Sequence, residues 1–290
     1  MAGAAKFDRR SAVKAAGIGA LAAFTQPVAW VRGEETAKIN GNLKQSVCQW
    51  CYKDTPLEKL ADEAKRIGYK SVELLTPDKF AVVKPFGLTC AMLSGACTIP
   101  DGFNQKKNHD RLEKSTREHI DFAADNNLPN VIVFSGNRRK LTNEEGLENC
   151  AESLKRVVGY AEQKKVTICM ELLNSKVNHP DYMCDNSKWG VSLVKKVGSP
   201  RFKLLYDIYH MQIMEGDVIR TIEQNKEYYG HFHTGGNPGR NEIDETQELN
   251  YAAICRAIIA TGFDGYLAQE FIPKREPMAS LAQGFKICDV

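Results

Sequence analysis

The sequence predicts a single-domain α/β protein with the (β/α)8 (TIM) barrel architecture. Short apolar runs alternate with amphipathic helical stretches over about 250 residues, the usual size of such a barrel. The strand runs are almost continuously apolar, which is typical of parallel strands covered on both faces. No GxGxxG or Walker motif follows the first strand, and this disfavours an open, doubly wound nucleotide-binding sheet.

The elements follow one another as eight strand–helix units between residues 43 and 290. Pro56 near the start of the first helix and Gly68 just past its end are the residues that helix ends prefer. The predicted helices are PLEKLADEAKRIG, HDRLEKSTREHIDFAADNN, NEEGLENCAESLKRVVGYAEQKK, SKWGVSLVKKVG, DVIRTIEQNK and ELNYAAICRAIIATG. The predicted strands lie in LKQSVCQWC, KSVELL, GLTCAMLSG, NVIVFSGN, VTICMELLN, FKLLYDIYH, YYGHFHTGG and GYLAQEFIP.

Residues 1–33 differ in composition from the rest of the chain. Arg9 and Arg10 precede Ser11 and a mildly apolar run rich in Ala and Gly, a layout that resembles a twin-arginine signal. The apolar run is too short to span a bilayer, so we expect no stable membrane anchor. The expected localisation is export, to the periplasm, with an amphipathic N-terminal extension and a cytoplasmic protein as the alternative.

Charge and cysteine content narrow the class of partner. The formal net charge is +3 with acidic and basic residues interleaved, so no basic stripe indicates nucleic acid and a small molecule is the expected partner. Most of the nine cysteines lie inside apolar runs, which predicts buried thiols rather than a disulfide framework. Cys48 and Cys51 form a CxxC, but no second pair follows at zinc-ribbon spacing.

Four polar residues close successive predicted strands. Glu171, Asp207, His233 and Glu270 interrupt apolar runs about one βα repeat apart, at the ends of predicted strands five to eight. Buried carboxylates need compensation, and three of them beside an imidazole indicate a bound cation. A mixed oxygen and nitrogen ligand set suits Mn²⁺, Co²⁺, Mg²⁺, Fe²⁺ or Zn²⁺. The alternative is that each is an ordinary polar strand-end residue with its own hydrogen bond.

Several motifs around these residues carry a family resemblance. ELLNSK, YDIYHMQIMEGD, GHFHTGGNPGRNE, ELNY and LAQEF resemble the hydroxypyruvate isomerase group of the xylose isomerase-like barrel superfamily. The resemblance implies one divalent ion held by Glu171, Asp207, a residue of strand seven and Glu270, with the two glutamates as the catalytic acid–base pair. Hydroxypyruvate isomerases usually carry Gln in strand seven, whereas His233 is similar to the ketose 3-epimerases.

Further residues are expected to contact the substrate or line its pocket. Trp50 is expected to offer an apolar wall or to pack in the core. His210 and Arg240 resemble the family's contacts to substrate oxygens, and each has a structural role as its alternative. The remaining expected pocket residues are Glu73, Asn137 and Lys176.

The expected reaction is proton transfer through a metal-stabilised enediolate of a small keto acid or sugar, catalysed by an isomerase similar to hydroxypyruvate isomerase. The alternatives are a ketose 3-epimerase and an exported lyase or hydratase acting on an oxidised sugar. Outside isomerase chemistry, an exported sugar-binding barrel and a phosphoesterase of the endonuclease type remain open. A homo-oligomer is a further expectation from the resemblance.

Overall fold

The computed structural model describes residues 39–290, which form one (β/α) barrel. Seven parallel strands are hydrogen-bonded in the order β2-β1-β7-β6-β5-β4-β3. The predicted single-domain (β/α)8 barrel is therefore confirmed as the fold. The strands are β1 Lys44–Cys48, β2 Ser71–Glu73, β3 Asn130–Val133, β4 Thr167–Glu171, β5 Phe202–Asp207, β6 Tyr229–Thr234 and β7 Tyr266–Gln269.

The third predicted strand, GLTCAMLSG, closes the barrel without forming a regular strand. Residues 89–93 run between β2 and β3 and make isolated parallel bridges to both. On one side the N–H of Val72 donates to the carbonyl of Thr89 at 3.1 Å. On the other, the N–H of Leu93 donates to the carbonyl of Asn130 at 2.9 Å. The segment thus satisfies the backbone edges of β2 and β3 that an open sheet would leave unpaired.

Helices follow the strands and cover the outside of the barrel. Six of them match the predicted segments, whereas α2 and α9 were not predicted and α6 replaces the end of a predicted strand. Asp207 explains why α6 begins where a strand was predicted. Its carboxylate accepts the backbone N–H of His210 at 2.9 Å and so caps the start of the helix. The helices are α1 Leu57–Ile67, α2 Pro77–Val83, α3 His109–Asp125, α4 Asn143–Lys164, α5 Ser187–Val197, α6 Ile208–Met214, α7 Val218–Asn225, α8 Tyr251–Ala260 and α9 Pro277–Cys288.

The apolar residues form two layers. The larger core lies between the strands and the surrounding helices. A small second cluster consists of Met92, Ile132, Cys169 and Leu205, contributed by neighbouring strand positions. Alternate strand residues therefore bury their side chains on both faces of the sheet, as the continuous apolar runs predicted.

The cysteine prediction agrees with the structure, because all nine cysteines are free thiols and eight of them are buried. Within residues 39–290, no helix is long and apolar enough to cross a membrane. The signal predicted at residues 1–33 lies outside the described residues.

Candidate metal centre and active site

The parallel register brings the four strand-end residues together at the carboxyl ends of the strands. Glu171 and Asp207 are the last residues of β4 and β5, and Glu270 follows β7 directly. Asp207 is paired with His233 of β6 across the sheet. One potential ligand atom from each of the four lies within 4.8 Å of the others, and all four side chains are buried. The sequence therefore identified residues that the fold places in one cluster.

The donor set of this cluster fits a divalent cation. Glu171 Oε1 and His233 Nδ1 lie 3.3 Å apart, and the Glu171 oxygen is buried without a hydrogen-bond partner within the described part of the chain. Glu270 Oε2 lies 2.8 Å from the same His233 nitrogen. Three carboxylates and one imidazole converging on a buried point match the oxygen and nitrogen ligands of hard and borderline divalent metals.

Electrostatics at the cluster point in the same direction. Burial raises the pKa of Asp207 well above its usual value and also raises that of Glu171. Burial acts in the same sense on Glu270, but Arg240 and His233 outweigh it and hold its pKa well below the usual range. Burial opposes a charged His233, yet Glu270 outweighs this and raises its pKa. Because burial disfavours the charged forms of Asp207 and Glu171, a bound cation would stabilise them as carboxylates.

Glu73, which was expected to contact the substrate, lies behind His233 and is not among the residues that line the neighbouring cavity. Its Oε1 is 2.8 Å from His231 Nε2 and 2.9 Å from His233 Nε2, and its side chain is fully buried. Burial would raise the pKa of Glu73, but the two imidazoles, His231 foremost, lower it to about 2. This carboxylate fixes the ring of His233 so that Nδ1 faces the other three ligands.

Arg240 and Trp50 close the opposite side of the cluster. Arg240 Nη2 donates to Asp207 Oδ2 at 3.1 Å and to Glu270 Oε2 at 2.6 Å. Its guanidinium lies over the rings of Trp50 and Tyr209, 5.1 and 5.2 Å from their centroids. Trp50 Nε1 donates to Glu270 Oε1 at 2.7 Å. Both oxygens of Glu270 are therefore oriented by donors of this side wall.

Arg240 reaches this position through a tight turn after β6. Its backbone N–H donates to the carbonyl of Gly236 at 2.7 Å, and the N–H of Gly236 donates to Asn241. A Cβ at position 236 would come within 2.2 Å of the carbonyl oxygen of Glu242, so only glycine fits there.

His210 is buried beside the cluster. Its Nδ1 accepts the backbone N–H of Asn174 at 3.1 Å, while Nε2 lies 3.7 Å from Asp207 Oδ2 without a hydrogen-bond partner among the described residues. Because Nδ1 of His210 accepts this hydrogen bond, the ring proton is assigned to Nε2. Nε2 is therefore a donor beside the four clustered residues.

A cavity of about 360 Å³ opens next to the cluster. Trp50, Glu171, Arg240 and Glu270 line it, and so does His179. A larger cavity of about 550 Å³ lies among residues that begin the strands, such as Lys44 and Tyr266. Because barrel active sites form at the carboxyl ends of the strands, the smaller cavity is the candidate substrate pocket.

Two expected pocket residues lie elsewhere. Lys176 is exposed, and its Nζ donates to the carbonyls of Ile213 and Met214 at the end of α6. The backbone carbonyl of Asn137 accepts the side-chain amide of Asn104 at 2.8 Å, in a loop outside the cavity. Both residues follow strands, but neither lines the cavity beside the cluster.

Sequence reasoning missed two features of the pocket. Leu74 lines it from the end of β2 in a left-handed conformation, with φ of 56°. His179 lines it from the loop after β4. Nothing in the local sequence marked either residue, because a leucine after an apolar strand reads as core. The contact from Trp50 Nε1 to Glu270 was also not foreseen.

The fold and the cluster of potential metal ligands are those of an enzyme whose active site lies at the carboxyl ends of the barrel strands. Comparison with known proteins specifies the family. The profile of the xylose isomerase-like TIM barrel family matches residues 61–288, and the chain belongs to this family.

Relatives with described activities are isomerases and epimerases. The chain is 25% identical over 233 residues to a putative hydroxypyruvate isomerase of Homo sapiens, covering 80% of each protein. It is 32% identical over 127 residues to the D-psicose 3-epimerase of Ruminiclostridium cellulolyticum, covering 42% of this chain and 40% of the relative. The protein is therefore an enzyme of the isomerase or sugar-epimerase type.

Solved structures share the fold. A structure described as an AP endonuclease, family 2, from Brucella melitensis superposes with a TM-score of 0.74 at 22% identity, covering 83% of this chain and 97% of that one. The 3-keto-D-glucoside 4-epimerase of E. coli superposes with a TM-score of 0.71 at 17% identity, covering 85% and 100%. At these identities the likeness establishes the barrel alone.

Proposed function

We propose that the protein is a divalent-metal-dependent isomerase of a small keto acid or sugar, similar to hydroxypyruvate isomerase. The observation that carries the proposal is the convergence of Glu171, Asp207, His233 and Glu270 within 4.8 Å. The hydroxypyruvate isomerases among the relatives support the reaction class.

The four residues would hold the ion, which when bound supplies Lewis-acid chemistry that polarises a carbonyl and offsets the charge of an enediolate. Glu171 and Glu270, two members of the cluster, act as the acid–base pair: one removes a proton from the carbon beside the carbonyl, and the other returns a proton. The N–H of Trp50 orients Glu270, and the Nε2 of His210 donates to a substrate oxygen. Arg240 binds a further substrate oxygen beside Glu270.

A ketose 3-epimerase is the second candidate, and His233 favours it. Hydroxypyruvate isomerases usually carry Gln at this strand position, and the D-psicose 3-epimerase is among the relatives. The two reactions share the same proton removal and differ in the carbon that receives the proton and in the face from which it arrives.

The test follows proton exchange with solvent. Protein loaded with Mn²⁺ or Co²⁺ is incubated in D₂O with hydroxypyruvate and with D-fructose, and deuterium uptake and product are measured by NMR. We expect uptake at the carbon beside the carbonyl. An aldehyde product from hydroxypyruvate supports the isomerase, an epimer of the ketose supports the epimerase, and a dehydrated product supports a lyase.

Variants test the acid–base assignment. Glu171→Gln and Glu270→Gln are each expected to lower the exchange rate by about 10²–10⁴-fold, the usual contribution of a general acid or base. Glu215→Gln is the control, because Glu215 is exposed and binds Ser187 away from the cluster. Full exchange by Glu171→Gln would refute the assignment.

We further propose that residues 1–33 direct export through a twin-arginine pathway, from the pair Arg9–Arg10 and the apolar run that follows. Replacing both arginines by lysine should leave the protein in the cytoplasm on cell fractionation. Unchanged export of that variant would contradict the proposal.

A further inference from the structure

The candidate substrate pocket has two chemically different sides. Polar groups occupy the side next to the ligand cluster, where Glu171, Glu270, Arg240 and His179 lie. The opposite wall carries no charged side chain within the described residues. It consists of Leu74, Cys97, Ile99, Ile132, Phe134 and Leu173.

This apolar wall is a fixed part of the barrel. Leu74 and Phe134 pack on the buried cluster inside the barrel, to which Ile132 itself belongs. Leu74 is also held at φ of 56°, a region that leucine rarely adopts, while its N–H donates to the carbonyl of Met92 at 2.9 Å. Strained backbone of this kind is concentrated at binding and catalytic sites.

The apolar wall offers no cation to an acidic group. Among the described residues that line the pocket, Arg240 is the one with a permanent positive charge, and it lies on the polar side, where its Nη2 is bonded to Asp207 and Glu270. Its Nε is buried without a hydrogen-bond partner among residues 39–290 and is free to bind a substrate oxygen on that side. Lys176 donates to carbonyls of α6 outside the pocket. A ligand carboxylate placed on the apolar wall would be desolvated without a partner.

The pocket is also large for a three-carbon substrate. Its volume of about 360 Å³ lies within the range of about 300–1,000 Å³ that proteins use for drug-sized ligands. A ligand that ends at the metal ligands would leave most of the apolar wall uncovered.

We infer that the substrate is a neutral α-hydroxy ketone with an apolar substituent of several carbons. The inference rests on the proposed function, because the ketone oxygens would bind to the ion that Glu171, Asp207, His233 and Glu270 hold. The substituent covers the wall that begins at Leu74. This substrate class replaces the carboxylate of hydroxypyruvate by an uncharged, apolar group.

A series of hydroxymethyl ketones tests the inference, because the reacting group stays constant while the substituent changes. The metal-loaded protein is incubated in D₂O with ketones that carry methyl, propyl or pentyl groups, and with hydroxypyruvate. The C–H bond of the hydroxymethyl carbon breaks and a C–D bond replaces it, with no redox change. We expect kcat/KM for exchange to rise about fourfold per added methylene, the effect of burying that group, and hydroxypyruvate to be the poorest substrate.

Substitutions in the wall locate the effect. Leu74→Asn keeps the branched shape and the number of heavy atoms of the side chain and suits the left-handed backbone. Because the amide is polar, the increase of kcat/KM with chain length should become smaller. Ile99→Asn, in a loop, is a second variant in case the first does not fold. Val177→Asn is the matched control, since Val177 is 63% exposed and does not line the pocket; it should keep the full rise.

The outcomes separate the two proposals. Exchange that does not increase with chain length, or that is fastest with hydroxypyruvate, overturns the inference and leaves the proposed function in place. An increase that persists in both wall variants also overturns it. Absence of exchange from every ketone and from D-fructose overturns the proposed function and this inference together.

Discussion

Substitution of Glu73 by Gln tests how the protein orients its histidine ligand. Glu73 Oε1 lies 2.8 and 2.9 Å from the Nε2 atoms of His231 and His233. A glutamine can keep an acceptor oxygen at this point but loses the negative charge, and charge-assisted hydrogen bonds are roughly twice as strong as neutral ones. The amide nitrogen would occupy the position of Oε2, which has no hydrogen-bond partner in the described structure.

Two effects of Glu73→Gln follow. Loss of a carboxylate that supports a ligating histidine typically weakens metal binding by about 10–100-fold, or about 1.4–2.7 kcal/mol. The buried, unpaired amide N–H costs about 1–3 kcal/mol of folding stability. At about 2–4 °C per kcal/mol for a chain of this size, Tm should fall by several degrees.

Calorimetric titration of the metal-free protein with Mn²⁺ measures the first effect, and thermal unfolding measures the second. Glu215→Gln serves as the control, because this exposed glutamate has no contact with His233. Unchanged Mn²⁺ affinity in Glu73→Gln would refute the positioning role of Glu73. An equal loss of affinity in Glu215→Gln would show that the effect is not specific to the histidine.

Three further predictions concern separate parts of the molecule. Trp50→Phe keeps an aromatic wall but removes the donor to Glu270 Oε1. The proton-exchange rate should fall by about 2–13-fold, which corresponds to a hydrogen bond of about 0.5–1.5 kcal/mol; an unchanged rate would show that this contact does not contribute to the reaction. Thr142→Ala removes the hydroxyl that accepts the backbone N–H of Glu145 at the start of α4. Loss of this cap should cost about 1 kcal/mol and lower Tm by about 2–4 °C; an unchanged Tm in thermal unfolding would contradict the role of the cap. Protein treated with a chelator should have a Tm about 5–11 °C lower than protein in Mn²⁺ at 100 times the Kd for Mn²⁺. Identical melting curves would contradict the binding of Mn²⁺ to the folded protein.

The barrel could be predicted because its pattern is local. Each parallel strand is apolar on both faces, and each helix has an amphipathic repeat, so eight units can be counted along the chain. Residues 89–93 show the limit of that reasoning. Their apolar run predicts a strand, but whether such a run pairs regularly or through isolated bridges depends on the geometry of β2 and β3 on either side.

The metal-ligand candidates could also be predicted, because a charged residue that ends an apolar strand is unusual and barrel topology brings such ends together. Glu73 satisfied the same pattern, yet its side chain faces His231 and His233. Successive side chains of a strand point to opposite faces of the sheet. With only three residues in β2, the sequence pattern is too short to predict which face Glu73 takes.

Loop residues were the least predictable. Lys176 follows β4 in sequence as a pocket residue would, but its amine is bound by the carbonyl end of α6. The wall residue Leu74 gave no signal, because its φ of 56° occurs at a leucine and not at the glycine or asparagine that usually marks a left-handed position. Positions of this kind depend on the assembled barrel and not on the local pattern.

Metal content measures the central claim most directly. The protein and the double variant Glu171→Gln/Asp207→Asn are each loaded with Mn²⁺, freed of unbound ion by gel filtration and analysed by mass spectrometry of the elements. The cluster of four buried ligands predicts about one ion per chain in the unaltered protein and almost none in a variant whose thermal unfolding shows that it is folded. Equal metal content in the two proteins, or none in either, would contradict the assignment of Glu171, Asp207, His233 and Glu270 as the metal centre.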